Sequence, residues 1–241
     1  MNNKSIKLQA FMSHAGVASR RACEKLIEDK KVVVNDRLAH IGQRVDGTQD
    51  VIVVNGKTIK TQERFRYFLV NKPIGYVSTT SDELNRRTVS QLIPRDIKER
   101  LYPVGRLDVE SEGLLLLTND GDLAQKLTHP SHKVKKTYHV VVKGTPTFKA
   151  LNHLRNGVKL KDGFTKKANV DVLLKEEGKT SLEITISEGR NRQIRRMLER
   201  VGYDTVQLIR IAMGPLDLEM ITEGNFVELD DKQIAELKKI V

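Results

Sequence analysis

The segment Gly105-Arg106-Leu107-Asp108 sets one carboxylate two residues from a guanidinium, ahead of Ser111, Gly113 and the apolar run Leu114-Leu115-Leu116-Leu117. A nearby cation favours the ionised form of a carboxyl, so Asp108 suits a base or a nucleophile and not a proton donor. Taken alone, an aspartate in a glycine-flanked turn is ordinarily a cap or a loop ligand. Its neighbours argue for more. Gly105 permits close backbone approach, Arg106 offers a guanidinium, and Ser111 and Gly113 suit a tight exit into the apolar run. Hydrolysis by paired carboxylates would need a second carboxyl as the acid. Asp120 could supply it, but it lies in Asn119-Asp120-Gly121, a composition that more often makes a turn.

A second group with chemical potential is cationic. In the stretch 189–200, Ile194 and Leu198 fall on one stripe of a predicted helix, continued by Val201, while Arg192, Arg195, Arg196 and Arg200 crowd the other side at spacings of three and four. Four like charges on one surface repel unless an anion answers them. A phosphate backbone is the simplest answer, and an internal carboxylate could take one of them. The six histidines are dispersed without a ligand spacing, the one cysteine (Cys23) offers no thiolate cluster, and no glycine-rich phosphate loop appears. No metal or organic cofactor is expected.

These groups must be held by two unlike regions. Residues 1–62 read as a small αβ module. Leu8, Phe11, Met12 and Ala15 recur at helical spacing, with Gly16 at the C-cap position. Ser19 can cap a second helix that buries Ala22, Cys23, Leu26 and Ile27. Val32–Val34 and Asp50–Val54 are short β-branched runs, and Asn55-Gly56 is a hairpin-turn signal. Residues 63–67 are a charged linker, and residues 68–241 form a mixed α+β domain. There, Phe68–Val70, Tyr138–Lys143 and the alternating Leu182, Ile184 and Ile186 are predicted strands, and Asp122–Leu127 a short helix. Leu114–Leu117 is too short for an independent helix.

Composition narrows the partner. The formal charge of +11 favours a polyanion, with nucleic acid foremost. Aromatic residues total 5%, too few for a serial stacking platform, so recognition by RNA shape is expected over serial stacking. No apolar run approaches the ~20 residues of a membrane helix, and the N-terminus lacks a secretory h-region. A cytoplasmic protein without membrane association is expected, and nothing in the sequence demands more than a monomer.

Four segments in order resemble the RNA pseudouridine synthases of the RsuA and RluB type. They are Asn71-Lys72-Pro73-Ile74-Gly75, then Gly105-Arg106-Leu107-Asp108 with Leu114–Gly121, then Lys136-Thr137-Tyr138, then Glu188-Gly189-Arg190-Asn191-Arg192-Gln193-Ile194-Arg195-Arg196-Met197. Residues 15–22 and 32–37 are similar to the alpha-L RNA-binding module of a small-subunit ribosomal protein. The resemblance implies a mostly antiparallel mixed sheet flanked by helices and loops, preceded by that module. It also implies cofactor-free conversion of a uridine to pseudouridine in ribosomal RNA, free or in an assembly particle, with 23S favoured over 16S.

By the same resemblance, Asp108 starts cleavage of the bond between ribose and uracil, Tyr138 packs on the flipped base, and Arg195 pairs with Asp108. Ile194 supplies an apolar floor, and Arg106 contacts RNA beside the flipped nucleotide, with Lys72 and Arg192 also in substrate binding. Arg20, Arg21, Lys30, Lys31, Arg37 and Arg196 would grip RNA. The rival from another class is a non-catalytic RNA-binding or ribosome-assembly factor, which leaves the Gly-Arg-Leu-Asp segment unexplained.

Overall fold

The computed structural model describes residues 5–59, 64–218 and 221–241. The expected domain end at residue 62 and the linker residue Glu63 lie outside these. The chain separates into two compact units, one running to Arg66 and including Lys98–Arg100, the other comprising Tyr67–Ile97 and Leu101–Val241.

In the first unit, α1 (Leu8–His14) and α2 (Arg20–Glu28) pack on four short strands, β1 (Val32–Val34), β2 (Arg37–Leu38), β3 (Ile52–Val54) and β4 (Lys57–Ile59). Ser19 caps α2 through its Oγ, which accepts from the Ala22 amide at 3.2 Å. Asn55 and Gly56 both take positive φ (50° and 76°), the geometry of the tight turn that their types predict. Leu8, Met12, Cys23, Ile27, Val32 and Ile52 form the core. The first turn of α2 and the loop after it thereby face solvent.

The second unit is built on a sheet of nine described strands, seven of them in the order β8-β9-β7-β10-β6-β5-β11. These are β5 (Tyr67–Lys72), β6 (Glu112–Thr118), β7 (Lys136–Lys143), β8 (Asn169–Glu176), β9 (Lys179–Ile186), β10 (Thr205–Met213) and β11 (Phe226–Glu228). Helices α3 (Gly121–Thr128), α4 (Phe148–Asn156), α5 (Gln193–Arg200) and α6 (Asp231–Lys239) accompany it. Among the described strands pairing is antiparallel except between β6 and β10, which run parallel with Glu112 opposite Ile209 and Gly113 opposite Arg210.

Two expectations shift here for physical reasons. The strand read as Phe68–Val70 runs on through Asn71 and Lys72, because both pair with β6. The helix read from Gly189 begins only at Gln193, since Arg192 adopts a left-handed conformation (φ 47°) that no helix interior accepts. Leu114–Leu117 forms the buried middle of β6, which explains an apolar run without helical period.

Candidate active site

Asp108 lies in a loop pinned from both sides. The Ser78 hydroxyl accepts from the Leu107 amide (3.0 Å) and donates to the Leu107 carbonyl (2.8 Å). The Gly75 amide donates to the Val109 carbonyl, and the Ser111 amide to the Asp108 carbonyl. Lys72, fully buried at the end of β5, donates from Nζ to the carbonyls of Ser111 (2.7 Å) and Pro73 (2.9 Å). Burial pushes the Lys72 ammonium down to about 8, against the opposing pull of Glu112 and Asp108.

The loop leads into β6 through Gly113, where φ is 101° and an added Cβ would lie 2.3 Å from the Arg210 carbonyl oxygen. No other residue type fits so close to the neighbouring strand. Gly105 is needed for its positive φ (73°), since only Thr128, at 3.7 Å, would meet an added Cβ.

Asp108 borders a cavity of about 430 Å³, within the ~300–1,000 Å³ usual for small-molecule sites. One wall is the sheet. Tyr138 on β7 stands opposite Arg210 on β10 and Ile184 on β9, and Lys136, two residues back, shares the face of Tyr138. Tyr138, Leu208, Arg210 and, from α5, Ile194 are all buried where they line the space. Burial, reinforced by the Arg210 charge, pushes the Lys136 ammonium down to about 8. The Thr128-His129-Pro130 corner and residues 187–193 complete the lining.

The arginine stretch is answered by more internal carboxylates than the single one its sequence suggests. Arg192 Nη1 lies 2.9 Å from Glu110 Oε2 and 3.9 Å from Asp108 Oδ2. Arg195 donates from Nη2 to the Glu110 carbonyl (3.1 Å). Arg196 forms a two-pronged pair with Asp162 (3.0 and 3.2 Å). Hydrogen bonding from Arg192 holds the Glu110 carboxyl below the usual carboxylate range, and Arg196 does the same to Asp162. Gln193 accepts from the Arg190 amide and donates to Glu188, which fixes the turn before α5.

Asp108, Tyr138, Ile194, Arg106 and Arg192 thus line one cavity. Three residues differ from expectation. Among the described ion pairs, the partner of Asp108 is Arg192, because the left-handed turn at Arg192 swings its side chain toward the loop while Arg195 is engaged at Glu110. Lys72 lies outside the lining, its Nζ spent on two carbonyls beneath the loop. Arg196 is occupied by Asp162. Asp120 caps α3, accepting from the Leu123 amide (3.0 Å) and the Tyr67 hydroxyl (2.8 Å), so it is no acid for a carboxylate pair.

Sequence reasoning missed Lys136 and Arg210 as lining residues. The two-residue period of Lys136-Tyr138 and of Leu208-Arg210 is the signal that could have found them. In the first unit, Arg20, Arg21, Lys30, Lys31 and Arg37 are all exposed.

Comparison with known proteins decides the family. Residues 66–200 match the RNA pseudouridylate synthase family and residues 6–52 the S4 domain. The chain is 41% identical over 238 residues to an RNA pseudouridine synthase of Aquifex aeolicus, covering 98% of this chain and 95% of that protein. It belongs to the RsuA/RluB family of RNA pseudouridine synthases. It is also 41% identical over 237 residues to the ribosomal large subunit pseudouridine synthase B of Bacillus subtilis, covering 97% of this chain and 96% of that one. A crystal structure of a pseudouridylate synthase, 29% identical, superposes with a TM-score of 0.70 over 97% of this chain and 100% of that chain. The chain is therefore an isomerase with RNA as its partner. Among the described residues no helix is long and apolar enough to cross a membrane.

Proposed function

We propose that this synthase isomerises one uridine of ribosomal RNA, in the 23S molecule rather than the 16S, as a cytoplasmic monomer acting on free RNA or an assembly particle. The substrate class rests on the Bacillus subtilis relative, whose name specifies the large ribosomal subunit. The observation that carries the chemistry is the meeting of Asp108, Tyr138 and Ile194 in one cavity.

In this reading residues 1–62 grip the RNA backbone through Arg20, Arg21, Lys30, Lys31 and Arg37, and residues 68–241 hold the reacting base. Extruding a stacked or paired base costs a few kcal/mol, which backbone contacts offset. Arg106, exposed on the lip of the cavity, contacts RNA beside the extruded nucleotide. Tyr138 packs on the uracil ring and Ile194 closes the apolar side. Asp108 starts cleavage of the bond between N1 and the ribose. The base turns, C5 bonds to the ribose carbon, and the proton lost from C5 is matched by one taken up at N1, so the product is an isomer of the substrate. Atoms and electrons balance without an imported group. Arg192 and Arg195 hold the Asp108–Glu110 turn in place, and Lys72 braces it from below.

The test is a pseudouridine map of ribosomal RNA from cells lacking the gene, complemented with wild type or Asp108→Asn. Loss of one modified site, restored by wild type alone, is the expected result and identifies the substrate. Restoration by Asp108→Asn would remove Asp108 from the chemistry. An unchanged map, with redundant enzymes deleted, would leave a binding role.

A further inference from the structure

Arg210 is an anomaly in this cavity. It is 2% exposed, and its Nε donates to the Leu114 carbonyl at 2.7 Å, which anchors the stem of the guanidinium. Its Nη2 is buried with no hydrogen-bond partner. A guanidinium is always charged and carries only donors, so an unanswered Nη2 in a dry place is costly to keep. Arg210 stands directly across from Tyr138 in the β7–β10 register and lines the same cavity. A second buried polar atom on that lining, Ser111 Oγ, is also without a partner. Two unsatisfied groups around one cavity point to a ligand that completes them.

The reaction supplies a match. Uracil presents two carbonyl oxygens, O2 and O4, which accept hydrogen bonds. When its bond to the ribose breaks with the electron pair staying on the base, negative charge spreads onto these oxygens. Addition of a carboxylate to C6 would likewise send charge to O4. A fixed cation with an unpartnered Nη2 is suited to both routes, because it is already oriented when the charge appears.

We propose that Arg210 Nη2 donates to a carbonyl oxygen of the flipped uracil and carries part of the negative charge that develops on the base. This deepens the proposed function and rests on it. If the oxygen is O4, the same donor rejects cytidine, whose amino group at that position would face it donor to donor.

The experiment is a substrate-atom cycle under single turnover. The probe is an RNA fragment spanning the modified site, carrying uridine, 2-thiouridine or 4-thiouridine at the target, with wild type, Arg210→Lys and Arg210→Gln. Sulfur is the weaker acceptor, and its other effects on the base are common to every protein tested, so they cancel in the cycle. One thio substitution is expected to slow the wild type about tenfold and the variants no more than about twofold, with the affected position naming the oxygen. Equal penalties in wild type and variants, or no penalty at either position in wild type, would overturn the assignment. The wild-type arm stands even if both variants fail to fold. A wild type that makes no pseudouridine in the all-oxygen fragment would instead overturn the function on which the inference rests.

Discussion

Arg192 and Arg196 meet carboxylates at 2.9 and 3.0 Å, and Arg190 meets Glu188 at 3.5 Å. Arg21, Lys30 and Arg37 of the first unit are exposed, and no described carboxylate pairs with them. The two sets look alike as sequence, yet one is spent inside the protein and the other on the solvent. The first set converts charge into geometry. Arg192 and Arg195 fasten the loop that holds Asp108, while Arg190 and Arg196 tie the start of α5 to residues 162–164. The second set keeps its charge available as a field, the sequence-independent term that brings a polyanion close. A basic protein is therefore not a uniformly adhesive one, and its net charge overstates the part that RNA meets.

The contrast breaks most visibly at Asp108. Asp108→Asn keeps the shape and removes the charge, and should lower the single-turnover rate by at least ~10³-fold while the melting curve stays within about 0.5 kcal/mol of wild type. A parallel loss of stability would mean that the loop depends on this carboxylate for structure. Next in size is Gly113→Ala, which forces a Cβ against the Arg210 backbone at a φ of 101°. Denaturant melts should show a loss of about 3 kcal/mol or more, and a variant within 1 kcal/mol of wild type, by the same measure of overpacking, would mean that the β6–β10 contact yields.

The brace beneath the loop gives a pH test. Lys72 titrates near 8 in the folded protein and near its ordinary 10.5 when unfolded, so between these values the unfolded chain binds more protons. Stability must then rise with pH across that window, by up to roughly 3 kcal/mol from this group, and below pH 8 the cost of the buried charge is fully present. Lys72→Met should flatten the rise measured from pH 8 to 10, leaving the rise that Lys136 supplies and the smaller opposing fall from Cys23, whose thiol burial pushes up. An undiminished slope would place the titration elsewhere. Smallest are the surface charges. Arg21→Gln, Lys30→Gln and Arg37→Gln should each reduce the slope of log affinity against log salt by about 0.7–0.9, whereas Arg196→Gln, already committed to Asp162, should change it by less. Equal changes at all four would erase the distinction between the two sets.

How much of this was readable beforehand follows the range of the interactions. Ser19 as a cap and Asn55-Gly56 as a turn act within a few residues, and both appear as expected. The alternation of Leu182, Ile184 and Ile186 likewise becomes the buried face of β9. Asp108, Tyr138 and Ile194 were legible as separate motifs, and their convergence follows the family resemblance and not their spacing. The arginines were harder. Whether Arg192 or Arg195 faces Asp108 depends on a single left-handed residue, a conformation that arginine does not advertise. Asp162, the partner of Arg196, lies 34 positions away in sequence and carries no local mark. Lys72 reads as a substrate ligand until its burial is known, because the sequence does not reveal which carbonyls it will reach.

The parallel pairing of β6 with β10 has a consequence for how the molecule comes into being. Glu112 and Gly113 cannot find Ile209 and Arg210 until nearly a hundred further residues have been made, and the bond from Arg210 to the Leu114 carbonyl spans 96 positions. Closing so long a loop is slow compared with forming the hairpin of β8 and β9, where Glu176 pairs with Lys179. The wall carrying Tyr138 and the loop carrying Asp108 are thus joined through non-local pairing, and a cavity built that way is expected to close later than the local turns and helix caps. A nascent chain can display its basic helix ends long before it owns a pocket, so attraction to RNA precedes competence to change it.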